Sequence, residues 1–209
     1  MKSVLAVVAC LSVSLASAAP AAAQTPDPNN PYVLSVAYGG TGCKQGTVGT
    51  SFASDRLSFT LIFDEFVATN SPGTTAAEKR RNCDILVNLH IPPGSGDICF
   101  TADHRGYVQG PTGARANADA KYDFHSQGPG RTRVGKGSDA FAGPLSKDYV
   151  RRDPSTVSWS GGANNVETLS IGATLALTGA MTSQITTDSI DAKITLGACQ
   201  PDPLPEPEP

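Results

Sequence analysis

The segment VETLSIGATLAL (166–177) decides the fold class of this chain. It is long enough for a helix, but an amphipathic helix repeats about every 3.6 residues, whereas the apolar side chains here recur at every second position. Those positions are Leu169, Ile171, Ala173, Leu175 and Leu177. The residues between them are mostly small or hydroxylated, and threonine favours strands. The segment is therefore predicted to be a β-strand that buries one face.

The same alternation continues outward along the chain. The clearest other example is 56–66, where Leu57, Phe59, Leu61 and Phe63 share one face. Shorter or weaker alternation of the same kind predicts further strands. They lie at 32–38, 47–52, 84–91, 98–109, 116–126, 156–160 and 184–196.

The segments between these strands complete the prediction. The turn PPGSG (92–96) predicts that 98–109 returns beside 84–91, and the Gly- and Arg-rich segment 128–137 is predicted to be a loop. One helical turn is expected at 75–81. We therefore predict an all-β fold, a disulfide-bridged antiparallel β-sandwich with few short helices. Jelly-roll and immunoglobulin-like topologies both stay open.

The N-terminal residues predict export. Lys2 precedes a short apolar run, and small residues then offer signal peptidase sites after Ala18 or Ala23. The run is shorter than the roughly 20 residues that cross a bilayer. The expected organisation is a signal peptide at 1–18 (or to 23), a flexible entry segment, the sandwich domain and a disordered tail rich in proline and acid. The last three span 19–31, 32–199 and 200–209.

The charge balance limits the partners. Removal of the leader takes away only Lys2 and leaves 15 Lys and Arg against 19 Asp and Glu. A mildly acidic protein has no overall field that attracts nucleic acid or an anionic membrane. The expected protein is a secreted, extracellular monomer that needs no cofactor. Its expected partner is an extracellular protein or polysaccharide, not nucleic acid and, after cleavage, not a membrane.

The cysteines predict two disulfides. Cys10 leaves with the leader, so Cys43, Cys83, Cys99 and Cys199 remain, an even number in an oxidising compartment. Three pairings are possible. The favoured one joins Cys83 to Cys99 across a short loop and Cys43 to Cys199 across the domain. No CxxC motif is present, so a zinc site is not expected.

Catalytic motifs are absent from the sequence. No serine lies in GxSxG and no HExxH occurs. An acid–base or metal site would require Asp103, His104, Asp123 and His125 to converge, which would happen only if their strands pair. An extracellular hydrolase that uses this Asp/His cluster is therefore the alternative to a non-enzymatic protein.

The candidate binding residues are polar and aromatic side chains. Basic clusters at 79–81, 131–136 and 151–152 are expected in loops, where they could gather into an anion-binding patch, although such residues more commonly keep loops soluble. Exposed aromatic side chains could contact a polymer. The candidate binding residues are Asp103, His104, Arg105, Tyr107, His125 and Trp159.

Several fragments together resemble a known secreted family. They are GTGCKQGTV (40–48), LSFTLIFDEFVA (57–68), NCDILVNLHIPPG (82–94), DHRGYV (103–108), FAGPLSKDYV (141–150) and VSWSGG (157–162). In this order they resemble the family catalogued as domain of unknown function 4360, found in fungi and bacteria. The resemblance covers residues 32–199. It implies a cysteine-bridged, all-β extracellular domain without an assigned activity, and it supplies no catalytic residues.

The sequence departs from that family at one position. The family's tryptophan segment usually reads W-S-P-C-G, whereas Trp159 and Ser160 are followed here by two glycines. The resemblance therefore implies that Cys99 replaces the missing cysteine as the partner of Cys83. The resulting functional expectation is a secreted, non-enzymatic domain that binds an extracellular protein, including a protease to be inhibited, or a cell-wall polysaccharide. A structural protein of the cell wall or surface is a third possibility.

Overall fold

The computed structural model describes residues 25–125, 132–159, 166–179 and 181–200. Within these ranges the chain forms twelve strands and one short helix. The first six strands are β1 (Tyr32–Gly39), β2 (Val48–Phe52), β3 (Ser58–Phe63), β4 (Val67–Asn70), β5 (Arg80–His90) and β6 (Gly96–Gly110). The others are β7 (Arg115–His125), β8 (Thr132–Ala142), β9 (Leu145–Trp159), β10 (Val166–Thr178), β11 (Ser183–Thr186) and β12 (Ser189–Leu196).

The strands form two antiparallel sheets. The five-stranded sheet has the order β1-β5-β10-β7-β8, and the seven-stranded sheet has the order β2-β3-β12-β6-β11-β4, with β9 paired to the other side of β6. β8 and β9 are consecutive edge strands of the two sheets and lie against each other. They therefore close one side of the sandwich. The expected all-β, antiparallel, disulfide-bridged sandwich is confirmed.

The core lies between the sheets. Leu169, Ile171, Leu175 and Leu177 of β10 are all buried, as the period of two predicts. Facing strands contribute the bulk of the remaining core, and burying each large apolar side chain contributes about 1.5–3 kcal/mol. The largest fully buried side chains include Tyr122, Phe66, Phe100, Leu61 and Ile85.

The predicted helical turn is also present. Helix α1 spans Ala76–Lys79 and begins after Thr75. The Thr75 hydroxyl accepts a hydrogen bond from the Glu78 amide, and the Glu78 carboxylate accepts one from the Thr75 amide at 2.8 Å. This reciprocal capping satisfies the first amide groups of the helix and explains why it begins there.

Three strand predictions are wrong in detail. Strand β6 does not return beside β5, because the two strands belong to different sheets. The segment predicted to be a loop at 128–137 contains the start of β8, and its residues 128–131 lie outside the described residues. The predicted strand at 184–196 is divided into β11 and β12, since β6 pairs with each of them in turn.

The disulfides also differ from the favoured pairing. Cys43 is joined to Cys83, and Cys99 to Cys199. Cys83 lies in β5 and Cys99 in β6, so the two residues are in opposite sheets. The segment after β1 brings Cys43 to β5, because β1 and β5 pair. In the other sheet, β12 carries the chain along β6 and delivers Cys199 to Cys99. Cys99 therefore does not replace a missing partner of Cys83.

The N-terminal end of the described chain contacts the five-stranded sheet. Residues 27–30 form a turn held by the Asp27 side chain. The His90 ring nitrogen Nε2 lies 2.8 Å from the Pro28 carbonyl oxygen, and the His90 ring stacks on Tyr32. The flexibility of this entry segment stays a prediction. The proposed signal peptide and the tail from residue 201 lie outside the described residues.

Candidate functional site

The candidate site residues are divided between the two outer faces of the sandwich and its core. Asp103, Arg105 and Tyr107 lie on the outer face of the seven-stranded sheet, while His104 points into the core between them. His125 lies on the outer face of the other sheet, at alternating positions with buried Tyr122 and Phe124. Trp159 ends β9 and pairs with Gly96, but its side chain lies outside the described part of the structure.

The proposed Asp/His cluster therefore does not assemble. Asp103 and Asp123 are on outer faces that point in opposite directions, and His104 is buried between the sheets. Successive residues of a strand point to opposite faces, so Asp103 and His104 cannot share a site. Across the four ranges that the structure describes, no group of three or more His, Cys, Asp or Glu could hold a metal ion.

Instead, His104 belongs to a buried hydrogen-bond network. Its Nε2 lies 2.7 Å from the Tyr122 hydroxyl, which donates to Asp153 Oδ2 at 2.8 Å. Arg151 Nε donates to both oxygens of Asp153, at 2.9 and 3.1 Å. The same Oδ2 of Asp153 lies 3.5 Å from His104 Nε2. Four side chains from β6, β7 and β9 thus meet between the sheets.

The network fixes the proton positions. The Tyr122 hydroxyl donates its only proton to Asp153, so it accepts one from Nε2–H of a neutral His104. Burial and the nearby Arg151 together lower the pKa of His104 to about 4, against the opposing effect of Asp153 and Asp103. Burial and the Asp153 carboxylate raise the pKa of Tyr122. Because His104 and Asp153 are almost completely enclosed, the network holds the sheets together and is not open to a substrate.

We expect His104 to weaken the fold at acid pH. Because its pKa falls from 6.5 to about 4 on folding, the unfolded chain takes up a proton first as the pH drops through this window. The free energy of unfolding should fall by about 3 kcal/mol over that range. His104→Gln can still donate to Tyr122 but does not titrate. Its stability deficit against wild type, measured by urea denaturation, should therefore shrink as the pH is lowered. A deficit independent of pH would contradict this account.

The outer face of the seven-stranded sheet carries paired charges at one end. Arg152 donates to both oxygens of Asp103 at 2.7 Å, and Arg105 donates to Asp191 at 3.2 Å. The Thr60 hydroxyl donates to the same Asp191 carboxylate at 2.7 Å. Thr60, Asp103, Arg152 and Asp191 border a hollow of about 330 Å³. The two parallel hydrogen bonds fix the Arg152 guanidinium and the Asp103 carboxylate in one orientation, so these two side chains are held rigidly at this end of the face.

The other end of the same face carries neutral polar groups, with the exposed carboxylate of Asp148 across from Tyr107. The Tyr107 and Ser146 hydroxyl oxygens lie 2.6 Å apart, and the Tyr107 hydroxyl donates to Gln109 at 3.3 Å. Gln109 and Ser146 also border a hollow of about 560 Å³, together with Gln184 and Thr69. Among the described residues, no charged side chain lines this hollow. Gln109 pairs directly with Ser146 on one side and Gln184 on the other, so the sheet register sets their spacing.

Sequence reasoning found only part of these groups. The sequence alone indicates Asp103, Arg105 and Tyr107 as candidates. It does not indicate Gln109 of β6 or Gln184 of β11, although both side chains lie on the outer face of the sheet. Asp153 was missed because β9 lacks an apolar alternation there: Arg151 and Asp153 occupy inward positions. The basic pair 151–152 is in a strand and not in the expected loop.

No helix within the described ranges is long and apolar enough to cross a membrane.

Loose structural likenesses link the chain to other β-sandwiches. A carbohydrate-binding module of family 61, TmCBM61, solved with β-1,4-galactotriose, has a TM-score of 0.33 and 7% identity, over 79% of this chain and 91% of that one. The family 11 module of Clostridium thermocellum has a TM-score of 0.28 and 12% identity, over 80% and 96% of the two chains. At scores this low, neither topology nor ligand follows from the likeness.

Sequence comparison gives the family. An uncharacterized secreted protein of Arthroderma benhamiae is 38% identical over 174 residues, which cover 79% of this chain and 68% of the relative. The family model described as "Domain of unknown function (DUF4360)" matches residues 29–198. Two disulfides agree with an extracellular location. The chain is a secreted protein and belongs to the DUF4360 family, as the resemblance of its sequence fragments implied.

Proposed function

We propose that the protein binds an extracellular polysaccharide along the outer face of its seven-stranded sheet. The observation that carries the proposal is the neutral hollow beside Tyr107, whose lining combines hydroxyl and amide side chains with the apolar Pro111 and Leu145. A sugar presents hydroxyl groups that both donate and accept hydrogen bonds. Serine, threonine, tyrosine and glutamine side chains offer the same two roles without the desolvation cost of a charge.

The dimensions of the face support a polymer over a small molecule. β6 runs through both hollows, with Thr101 at the charged end and Gln109 at the neutral end. At about 3.4 Å per residue these two positions are about 27 Å apart. The face also lies on regular strands and not on loops, and its charged end is held by ion pairs. Little ordering entropy should therefore be lost on binding.

A protein partner is the second candidate, for a specific reason. Ile62 and Val150 lie in the same cross-strand row on either side of Arg105 and are more than half exposed. Apolar side chains around an arginine are a common centre of protein interfaces. Two such residues separated by two strands nevertheless make a small apolar area, so the neutral hollow favours the polysaccharide.

The test measures retention of the secreted protein on insoluble wall polysaccharides, with soluble polymers as competitors. We expect wild type to sediment with at least one polymer. Each lost hydrogen bond contributes about 0.5–1.5 kcal/mol. The double variant Tyr107→Ala and Gln109→Ala should therefore weaken binding about tenfold or more.

The matched control is Asn117→Ala, which changes a polar side chain on the outer face of the five-stranded sheet. It should bind like wild type. Absence of retention on every polymer, or equal retention of the double variant and the control, would overturn the proposal. Retention lost on Ile62→Ser alone, with capture of a secreted protein, would favour the second candidate.

A further inference from the structure

We propose that the outer face of the five-stranded sheet contains a second site, which binds an oxyanion, centred on Gly172. This site faces away from the proposed polysaccharide surface and does not depend on it. The central strand of the sheet, β10, has Gly172 at an outward position, paired with Asp84 on one side and Lys121 on the other. A hollow of about 460 Å³ lies above it.

The fold itself gives no reason for a glycine at this position. The pairing of β10 with both neighbours continues through Gly172 without a bulge. A Cβ added there would meet only Asp84 Oδ1, at an ordinary contact distance of 3.5 Å. Glycine inside a strand weakens it and commonly marks a place where a ligand comes close to the backbone. Because Gly172 has no side chain, its backbone forms the floor of the hollow.

Two lysines border this floor in an arrangement that costs stability. Lys121 of β7 and Lys136 of β8 are direct cross-strand partners, and both are exposed on the same face. Like charges at directly opposite positions repel each other. Neither lysine forms an ion pair with any residue in the described part of the chain. An anion between the two ammonium groups would remove the repulsion.

The remaining charged groups define what can bind. Arg80 also lines the hollow and adds a third positive charge. Asp84 and Asp119 line it as well, but each is held by a hydrogen bond, from Asn82 and Ser138 respectively. The net charge is therefore only weakly positive, which suits a single carboxylate, sulfate or phosphate group more than a dense polyanion. Arg80 and Lys136 come from two of the basic clusters in the sequence, 79–81 and 131–136.

The test follows backbone amide shifts by NMR at low ionic strength while one probe is added. The three probes are an oligogalacturonate for carboxylate, a sulfated oligosaccharide for sulfate, and inorganic phosphate. We expect at least one of them to shift the amides of Gly172 and Lys121, with an affinity that falls as salt is added. The probe that binds most tightly identifies the oxyanion.

Two variants approach the site differently. Lys121→Gln combined with Lys136→Gln removes the charges and should weaken binding about tenfold for each charge-assisted hydrogen bond lost. Gly172→Val fills the floor and should abolish binding, while its Tm should not fall, because valine favours strands and the added Cβ has room. Lys193→Gln, on the other sheet, is the control and should bind like wild type. Failure of all three probes, or undiminished binding by either site variant, would overturn the proposal.

Discussion

Replacing Asp153 by alanine is expected to lower the free energy of unfolding by about 3–5 kcal/mol. Asp153 is almost fully buried and accepts hydrogen bonds from Arg151 and Tyr122. Its removal leaves the Arg151 guanidinium without its main counter-charge and the Tyr122 hydroxyl without its acceptor. The remaining carboxylate near Arg151 is Asp139, at 3.7 Å and partly exposed, which cannot replace both hydrogen bonds. Urea denaturation followed by circular dichroism measures the change.

The matched control for this variant is Asp148→Ala. Asp148 lies in the same strand, β9, but is exposed on the outer face of the sheet. Its replacement should change the free energy of unfolding by no more than about 0.5 kcal/mol. If Asp153→Ala lowers the free energy of unfolding no more than the control does, the network contributes little to stability and this account of the buried Asp153 is wrong.

The same network explains why the sequence predicts some strands and hides others. Strand β10 is readable because its inward positions from Leu169 to Leu177 are all apolar or alanine, and only Glu167, at the start of the strand, breaks this pattern. In β8 the inward positions include Gly135 and Gly137, where an added Cβ would collide with Ser155 and Asp153. β8 needs glycine at these positions because the side chains of β9 lie directly against its backbone. For this reason β8 lacks the apolar alternation that would have predicted it as a strand. In β9 the corresponding inward positions carry the charged and polar members themselves.

Strand periodicity could predict which face of a strand each site residue occupies, but not which strands lie next to each other. Alternation is sufficient to place Asp103, Arg105 and Tyr107 on one face of β6, where the structure has them. The same rule separates Asp103 from His104, so the catalytic cluster could have been rejected from the sequence. Gln109 and Gln184 come together only because β11 pairs with β6, and a pairing between segments 75 residues apart in the chain has no local signal.

Removing a disulfide is expected to lower the free energy of unfolding by an amount similar to the loss of Asp153. In the chain-entropy model, removing a bridge costs more when the loop it closes is longer. Cys99 and Cys199 are 100 residues apart, and Cys43 and Cys83 are 40 apart. Replacing both cysteines of the longer bridge by alanine should therefore lower the free energy of unfolding by about 5 kcal/mol, and replacing both of the shorter by about 4 kcal/mol. Chemical denaturation under non-reducing conditions measures both values.

The two double variants also test the connectivity. Cys43 follows β1 and is joined to Cys83 of β5 in the five-stranded sheet, while Cys199 follows β12 and is joined to Cys99 of β6 in the other sheet. Cys43→Ala with Cys83→Ala should leave the remaining bridge closed, so a thiol reagent should label no cysteine when the protein is denatured without reductant. The crossed variant, Cys83→Ala with Cys99→Ala, should lose both bridges and leave two thiols, which the reagent labels under the same denaturing conditions, because Cys43 is fully buried in the folded protein. The opposite labelling pattern would show that the bridges cross between the sheets, and the strand order that separates β5 from β6 would then be wrong.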